Sequence, residues 1–220
     1  MPRRELKARE GKFEVANIFY QVMISSPAQT EQLAHILASL SRKGDTILLQ
    51  GPLGAGKSVL CRSFIRGVFN DQTMEVPSPS YTLVQHYDHD GKQVVHFDLW
   101  RISSEDELYE LGWEDMDEAI VLVEWPERLK HFMPQTALHV QISFVDAESR
   151  PELRHERVFF SQAEKNQGFE PKKIEPEKEK DHEEGRIFQL KGWEDRNLLE
   201  TLIRAGMVVE VIENSWQVLC

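Results

Sequence analysis

Cysteine is scarce in this sequence, with two residues in 220. Two do not make a disulfide framework, so Cys61 and Cys220 are expected as reduced thiols of a cytoplasmic protein. No apolar run approaches the ~18 residues needed to cross a bilayer. The N-terminal stretch MPRRELKAREGKFEV lacks the apolar core of a secretory signal. Positive charge is also in deficit. The chain has 26 Lys and Arg against 37 Asp and Glu, a net charge of −11. Gripping RNA or DNA through its phosphates calls for a basic face, and none is visible. Any nucleic acid in this protein's work is expected to be held by a partner.

Ordinary globular composition fills the rest, with 40% hydrophobic and 29% charged residues. Residues 1–17 are charged and irregular, and are expected to fray. Ile18–Ser25 is rich in strand formers. Ser26 and Pro27 then cap a helix whose Leu33, Ile36, Leu37 and Leu40 recur at helical spacing. Gly44 suits its stop. Thr46–Gln50 is a short apolar strand, and SVLCRSFIRGVF follows as a helix. Thr82–Tyr87 and Gln93–Leu99, joined across His89-Asp90-Gly91, make a hairpin. SSEDELYELGW is a helix capped by Ser103 or Ser104 and ended by Gly112. AIVLVEW is continuously apolar, as in a strand buried on both faces. TALHVQISFV alternates and is expected at a sheet edge. Residues 161–185 have high charge and little to bury, which reads as a flexible linker. Residues 186–220 regain pattern as strand, helix (Leu198, Leu199, Leu202, Ile203), strand, strand. So short a module buries little alone and is expected to pack on the main domain, residues 18–160, or on another chain.

The residues with most chemistry lie at Gly51-x4-Gly56-Lys57-Ser58, which fits the phosphate-binding P-loop. A phosphate tail must meet several backbone N–H groups at once, and side chains would hold it off. Glycines supply bare backbone, and the following helix N-terminus favours negative charge. Lys57 would reach the phosphates and the Ser58 hydroxyl a Mg²⁺ ion. The apolar strand before and the helix after are the context this motif requires. Such a site needs a carboxylate at the end of a neighbouring strand to hold metal or water. VVHFD offers Asp98 and IVLVE offers Glu124, and the spacing does not choose between them. A residue sensing the γ-phosphate is expected from VPSPSYT, where Ser78, Ser80 and Thr82 are candidates, although each also suits a turn beside proline. His96 is expected as a core or pairing residue of its strand, and Trp113 and Trp193 as packing. Arg101 is placed to meet phosphate or an acid.

The strings GPLGAGKSVLCRSF, VPSPSYTLVQHY, HFDLWRI, ELYELGWEDM and LVEWPERL, in that order, resemble the TsaE family of bacterial ATPases of tRNA threonylcarbamoyladenosine biosynthesis. The resemblance runs from about Ser25 to Val145. It implies an α/β fold of P-loop NTPase type, a three-layer arrangement with a sheet flanked by helices, here with a small C-terminal α+β appendage. It implies weak, Mg²⁺-dependent ATP hydrolysis that cycles a complex with the transferase subunits TsaB and TsaD, which meet the tRNA. Carried over by motif, Gly51, Leu53, Gly54, Ala55, Gly56, Lys57, Ser58 and Val59 would hold the nucleotide. Ser80 stands where the family usually has threonine, and Trp125 matches the tryptophan beside the nucleotide. Lys57, Asp98 and Glu124 would be catalytic. Ser58, Glu124 and Asp98 would serve the metal, with Glu124 first choice. Pro52 replaces the usual aspartate and Trp100 the usual tyrosine. Three other readings use the same loop: a small-molecule kinase, a GTP switch and a nucleotide-bound scaffold with little turnover. An arginine-rich lid is missing for the first and an N-K-x-D string for the second.

Overall fold

A computed structural model describes residues 18–104, 106–113, 116–134, 136–145 and 185–213. The expected frayed N-terminus, nearly all of the expected linker and the last expected strand lie outside them. Eight strands form one mixed sheet in the order β3-β4-β5-β2-β6-β7-β1-β8. In chain order they are β1 (Ile18–Ile24), β2 (Thr46–Gln50), β3 (Val84–His89), β4 (Lys92–Asp98), β5 (Ile120–Glu124), β6 (Leu138–Phe144), β7 (Arg186–Lys191) and β8 (Val209–Glu213). The helices are α1 (Pro27–Leu40), α2 (Lys57–Phe69), α3 (Asp106–Glu110) and α4 (Leu198–Arg204), with a 3-10 segment at Pro126–Phe132. Strands β4, β5, β2 and β6 run parallel. Both flanks of the sheet are antiparallel.

Local chemistry accounts for most boundaries. The Ser26 hydroxyl accepts from the Gln29 N–H, and Pro27 opens α1 where no backbone donor is needed. Ser103 and Ser104 both donate to the Glu107 carboxylate, which in turn accepts their backbone N–H groups ahead of α3. The central strands β2 and β5 have buried interiors, and β5 is buried at every position, as parallel strands covered on both faces must be. Side chains alternate between two cores. Ile47, Leu49, Val94, Leu122 and Val140 join α1, α2 and α4 on one face. Leu48, Val95, Phe97, Val121 and Val123 join α3 and the 3-10 segment on the other.

Two expectations are corrected. TALHVQISFV is not an edge strand, because β6 lies between β2 and β7. Its alternation sets buried against half-buried positions on the two faces of an interior strand. The segment from residue 186 is not an appendage either. β7 pairs with β6 on one side and β1 on the other, and β8 pairs with β1. Phe188 and Leu190 of β7 and Leu198 and Leu202 of α4 are fully buried in the α1/α2 core. Arg196, beyond β7, binds both oxygens of Asp45 at 2.6 Å and lies over the Trp193 ring, 4.1 Å from its centroid. This ties the segment to the turn before β2.

Truncation at residue 184 should therefore leave an insoluble or unfolded chain, as judged by circular dichroism. Phe188→Ala should lower unfolding stability by about 3–5 kcal/mol in urea titration. A soluble, cooperatively folding truncated chain would contradict this account of the sheet.

Candidate functional site

Six residues, 51–56, connect β2 to α2. Gly51 packs against β6 so closely that a Cβ there would lie 2.6 Å from the Ile142 carbonyl oxygen. Gly56, the residue before α2, has φ 105°, a conformation that only glycine adopts without strain. These two positions explain why residues 51 and 56 cannot carry side chains. Lys57 folds back across it, and Nζ donates to the carbonyls of Gly51 at 2.7 Å and Pro52 at 2.9 Å. The same ammonium lies 3.9 Å from the centroid of the Trp125 ring, a cation–π contact. Burial pushes its pKa down from the ordinary lysine value, and the nearby charges of Glu124, Asp98 and Glu127 oppose that shift.

Two carboxylates face this cation. Parallel register sets Asp98, at the end of β4, beside Glu124, at the end of β5. Both share the strand parity of Val94 and Leu122, so both point toward α2. Both are buried, Glu124 with 2% of its surface exposed. The Ser58 hydroxyl, in the first turn of α2, donates to Glu124 Oε2 at 2.9 Å. The other oxygen, Oε1, is 3.0 Å from Nε2 of His96, itself 1% exposed. Asp98 accepts from the Ser80 hydroxyl at 2.8 Å and from the Trp100 backbone N–H at 3.2 Å. Ser78 extends that chain to Ser80 at 2.7 Å. Trp125, in the left-handed region at φ 62°, donates its N–H to Leu49 and stacks at 4.6 Å on Trp100.

The structure thus brings Lys57, Ser58, Ser80, Asp98, Glu124 and Trp125 together. Of the other loop positions, Ala55 is fully buried, whereas Leu53 and Val59 present exposed side chains, so only their backbones face inward. Thr82 is exposed, while Ser78 and Ser80 carry the hydroxyl chain. Arg101 lies over the Tyr81 ring at 5.9 Å. Trp113 packs edge-on to Phe97, and Trp193 is buried, as expected. Sequence patterning misses two residues. His96 is the core residue expected, but it is also bonded to the site acid. The available signal is its two-residue spacing from Asp98. Arg186, opening β7, has Nε 3.9 Å from where a Cβ on Gly56 would stand. No spacing rule connects two such distant positions.

The model of the TsaE family, described as threonylcarbamoyl adenosine biosynthesis protein TsaE, matches residues 24–152. The chain belongs to the TsaE family. Relatives named tRNA threonylcarbamoyladenosine biosynthesis protein TsaE are similar over more than half of this chain. The one from Rickettsia felis is 33% identical over 130 residues, covering 59% of this chain and 75% of its own length. That from Haemophilus influenzae is 36% identical over 126 residues, 56% of this chain and 78% of its own. That from Bacillus subtilis is 31% identical over 119 residues, 53% and 73% respectively. The crystal structure of YdiB from Bacillus subtilis superposes with a TM-score of 0.54 at 18% identity, over 88% of this chain and 99% of that one. At that identity it shows the fold alone. All the site residues above except Arg186 fall inside the stretch that matches the TsaE family.

Cys61, one turn beyond Ser58 on α2, lies fully buried beside His96 and Glu124. Burial pushes its thiol well above the usual range, with Glu124 and Asp98 adding to the shift. A pKa raised in the folded state gives stability that is complete below the ordinary thiol pKa and is lost as pH climbs toward the folded value. Native protein should leave Cys61 unreactive to Ellman's reagent at neutral pH. The urea midpoint should fall above about pH 8.5, and less steeply in Cys61→Ala. Rapid native labelling of Cys61 would contradict its burial.

Proposed function

We propose that this protein is a Mg²⁺-dependent ATPase of tRNA threonylcarbamoyladenosine biosynthesis, acting in the cytoplasm on the TsaB/TsaD transferase complex. One observation carries the reading. The Ser58 hydroxyl after a glycine loop is hydrogen-bonded to a buried carboxylate, Glu124, beside Lys57, the residue that follows that loop. That donor set suits a metal-bound triphosphate: bare amides and an ammonium for phosphate, a hydroxyl and a carboxylate for a hard cation. Bound MgATP would supply the γ-phosphoryl group and the divalent charge that neutralises its transfer.

The chain's own residues have the following parts in this reading. The N–H groups of residues 51 and 53–56 and of the N-terminus of α2 would hold the phosphates, Pro52 having none to offer. Lys57 would give up its bonds to the Gly51 and Pro52 carbonyls for phosphate oxygens. Ser58 and Glu124 would hold the metal, and Glu124 outranks Asp98 because it alone of the two bonds Ser58. Asp98, tied to Ser80, orients the loop that senses the γ-phosphate. Positioning and charge account for the catalysis. The acidic balance fits a protein whose transferase partners meet the tRNA. A scaffold with little turnover is the second reading. It is favoured by the hydrogen bonds that already occupy both Glu124 oxygens.

Lys57→Ala should abolish ATP binding by calorimetry, and retained affinity would remove the phosphate role. Glu124→Ala should leave ATP binding measurable and lower Mg²⁺-dependent hydrolysis by about 100-fold or more. Retained turnover there would move the metal role to Asp98. Steady-state hydrolysis with and without the transferase subunits separates the ATPase from the scaffold.

A further inference from the structure

We propose that His96 is a positioning residue of this site, holding Glu124 by Oε1 so that Oε2, the oxygen on Ser58, is the one aimed at metal. The inference rests on the nucleotide reading above and adds how its carboxylate is aimed. A carboxylate only accepts hydrogen bonds, so the 3.0 Å contact requires Nε2 of His96 to carry the proton. Among the described residues, Nδ1 of the same buried ring finds no hydrogen-bond partner. The ring's polar function is thus spent on Glu124 alone.

The two holds on Glu124 differ in kind. Ser58 belongs to the loop–helix junction, which meets the phosphates and must readjust when they arrive. His96 sits in β4, laddered to β3 on one side and β5 on the other. Its anchor therefore stays fixed when Ser58 turns to a new partner. The terminal torsion of glutamate is broad, with no strong preferred angle. One fixed bond at Oε1 removes that freedom. Without it, a buried acceptor would be left unbonded and the carboxylate would turn toward another donor. His96 and Asp98 lie two residues apart on the same strand face. β4 thus supplies both an acid and the group that aims the neighbouring acid.

The test uses the full chain with His96→Leu, His96→Gln, Glu124→Ala and the His96→Leu/Glu124→Ala double variant. Nucleotide affinity in EDTA should stay within about twofold in His96→Leu, because the phosphate cradle is untouched. Mn²⁺ affinity in the presence of a non-hydrolysable ATP analogue, and kcat, should each fall about 10–100-fold, as for other groups that orient a metal ligand. His96→Gln, which keeps an N–H donor, should recover most of both. In the Glu124→Ala background, His96→Leu should cost nothing more. The His96 Nε2–H resonance of the wild type should move in Glu124→Gln. Mn²⁺ affinity and kcat within twofold of wild type in His96→Leu would overturn the proposal. So would an additional independent loss in the double variant. If His96→Leu does not fold, His96→Gln and the proton resonance decide instead, and an Nε2–H indifferent to Glu124→Gln overturns the proposal. A wild-type chain that binds no nucleotide sinks this proposal and the ATPase reading together. Glu124-dependent hydrolysis that ignores His96 sinks the positioning role alone.

Discussion

A carboxylate withdrawn from water must be bonded and balanced or it will not stay ionised. Buried Glu124 has three polar neighbours from two elements: Ser58 and the ammonium of Lys57 from α2, and His96 from β4. The arrangement of the rest follows from it. β4 must run parallel to β5 and in register, or His96 and Asp98 would not face the acid. β2 must lie on the other side of β5, so that its loop delivers Lys57 and Ser58 to the same spot. The glycine loop must be thin, because β6 presses on it at Ile142. A shift of one residue in any of these ladders would turn the polar side chains into the opposite core.

Lys57 and Trp125 complete the balance. The indole spreads over the ammonium while the Gly51 and Pro52 carbonyls accept two of its three donors. Trp125 can do this because its backbone takes a left-handed turn immediately after β5, fixed by a bond to Leu49 and followed by Pro126. The charged centre is therefore buried, cation-bearing and held in place by hydrogen bonds. That combination makes electrostatic effects large in a low-dielectric setting.

How much of this is legible in the sequence depends on distance along the chain. Helix α1, strand β2, the β3–β4 hairpin and strand β5 announce themselves through caps, periodicity and turn residues, all local signals. The glycine loop announces itself through a motif with a fixed physical purpose. Asp98 and Glu124 are visible as acids ending apolar strands. Their relation to Ser58 is not, because only the register of β4 and β5 decides it. His96 looks like an ordinary strand histidine, since a buried hydrogen bond leaves no mark in composition. The position of β7 is the least readable feature. Its pattern is a plain strand, and nothing in residues 186–191 says that the slot between β6 and β1 is theirs. The charged stretch before it makes separation look natural, yet loop length adds little to the cost of closing a chain.

That slot has a consequence for how the molecule comes into being. Among the described strands β1 comes first in the chain, and both of its neighbours, β7 and β8, come from beyond residue 185. A nascent chain on the ribosome can assemble the parallel centre early, but β1 has neither of its partners until residues beyond 185 have emerged. Closing this side of the sheet thus relies on pairings of high sequence separation, such as Tyr20 with Leu190. Such topology slows the final step and leaves the apolar strand β1 and the β6 border unpartnered in the interval.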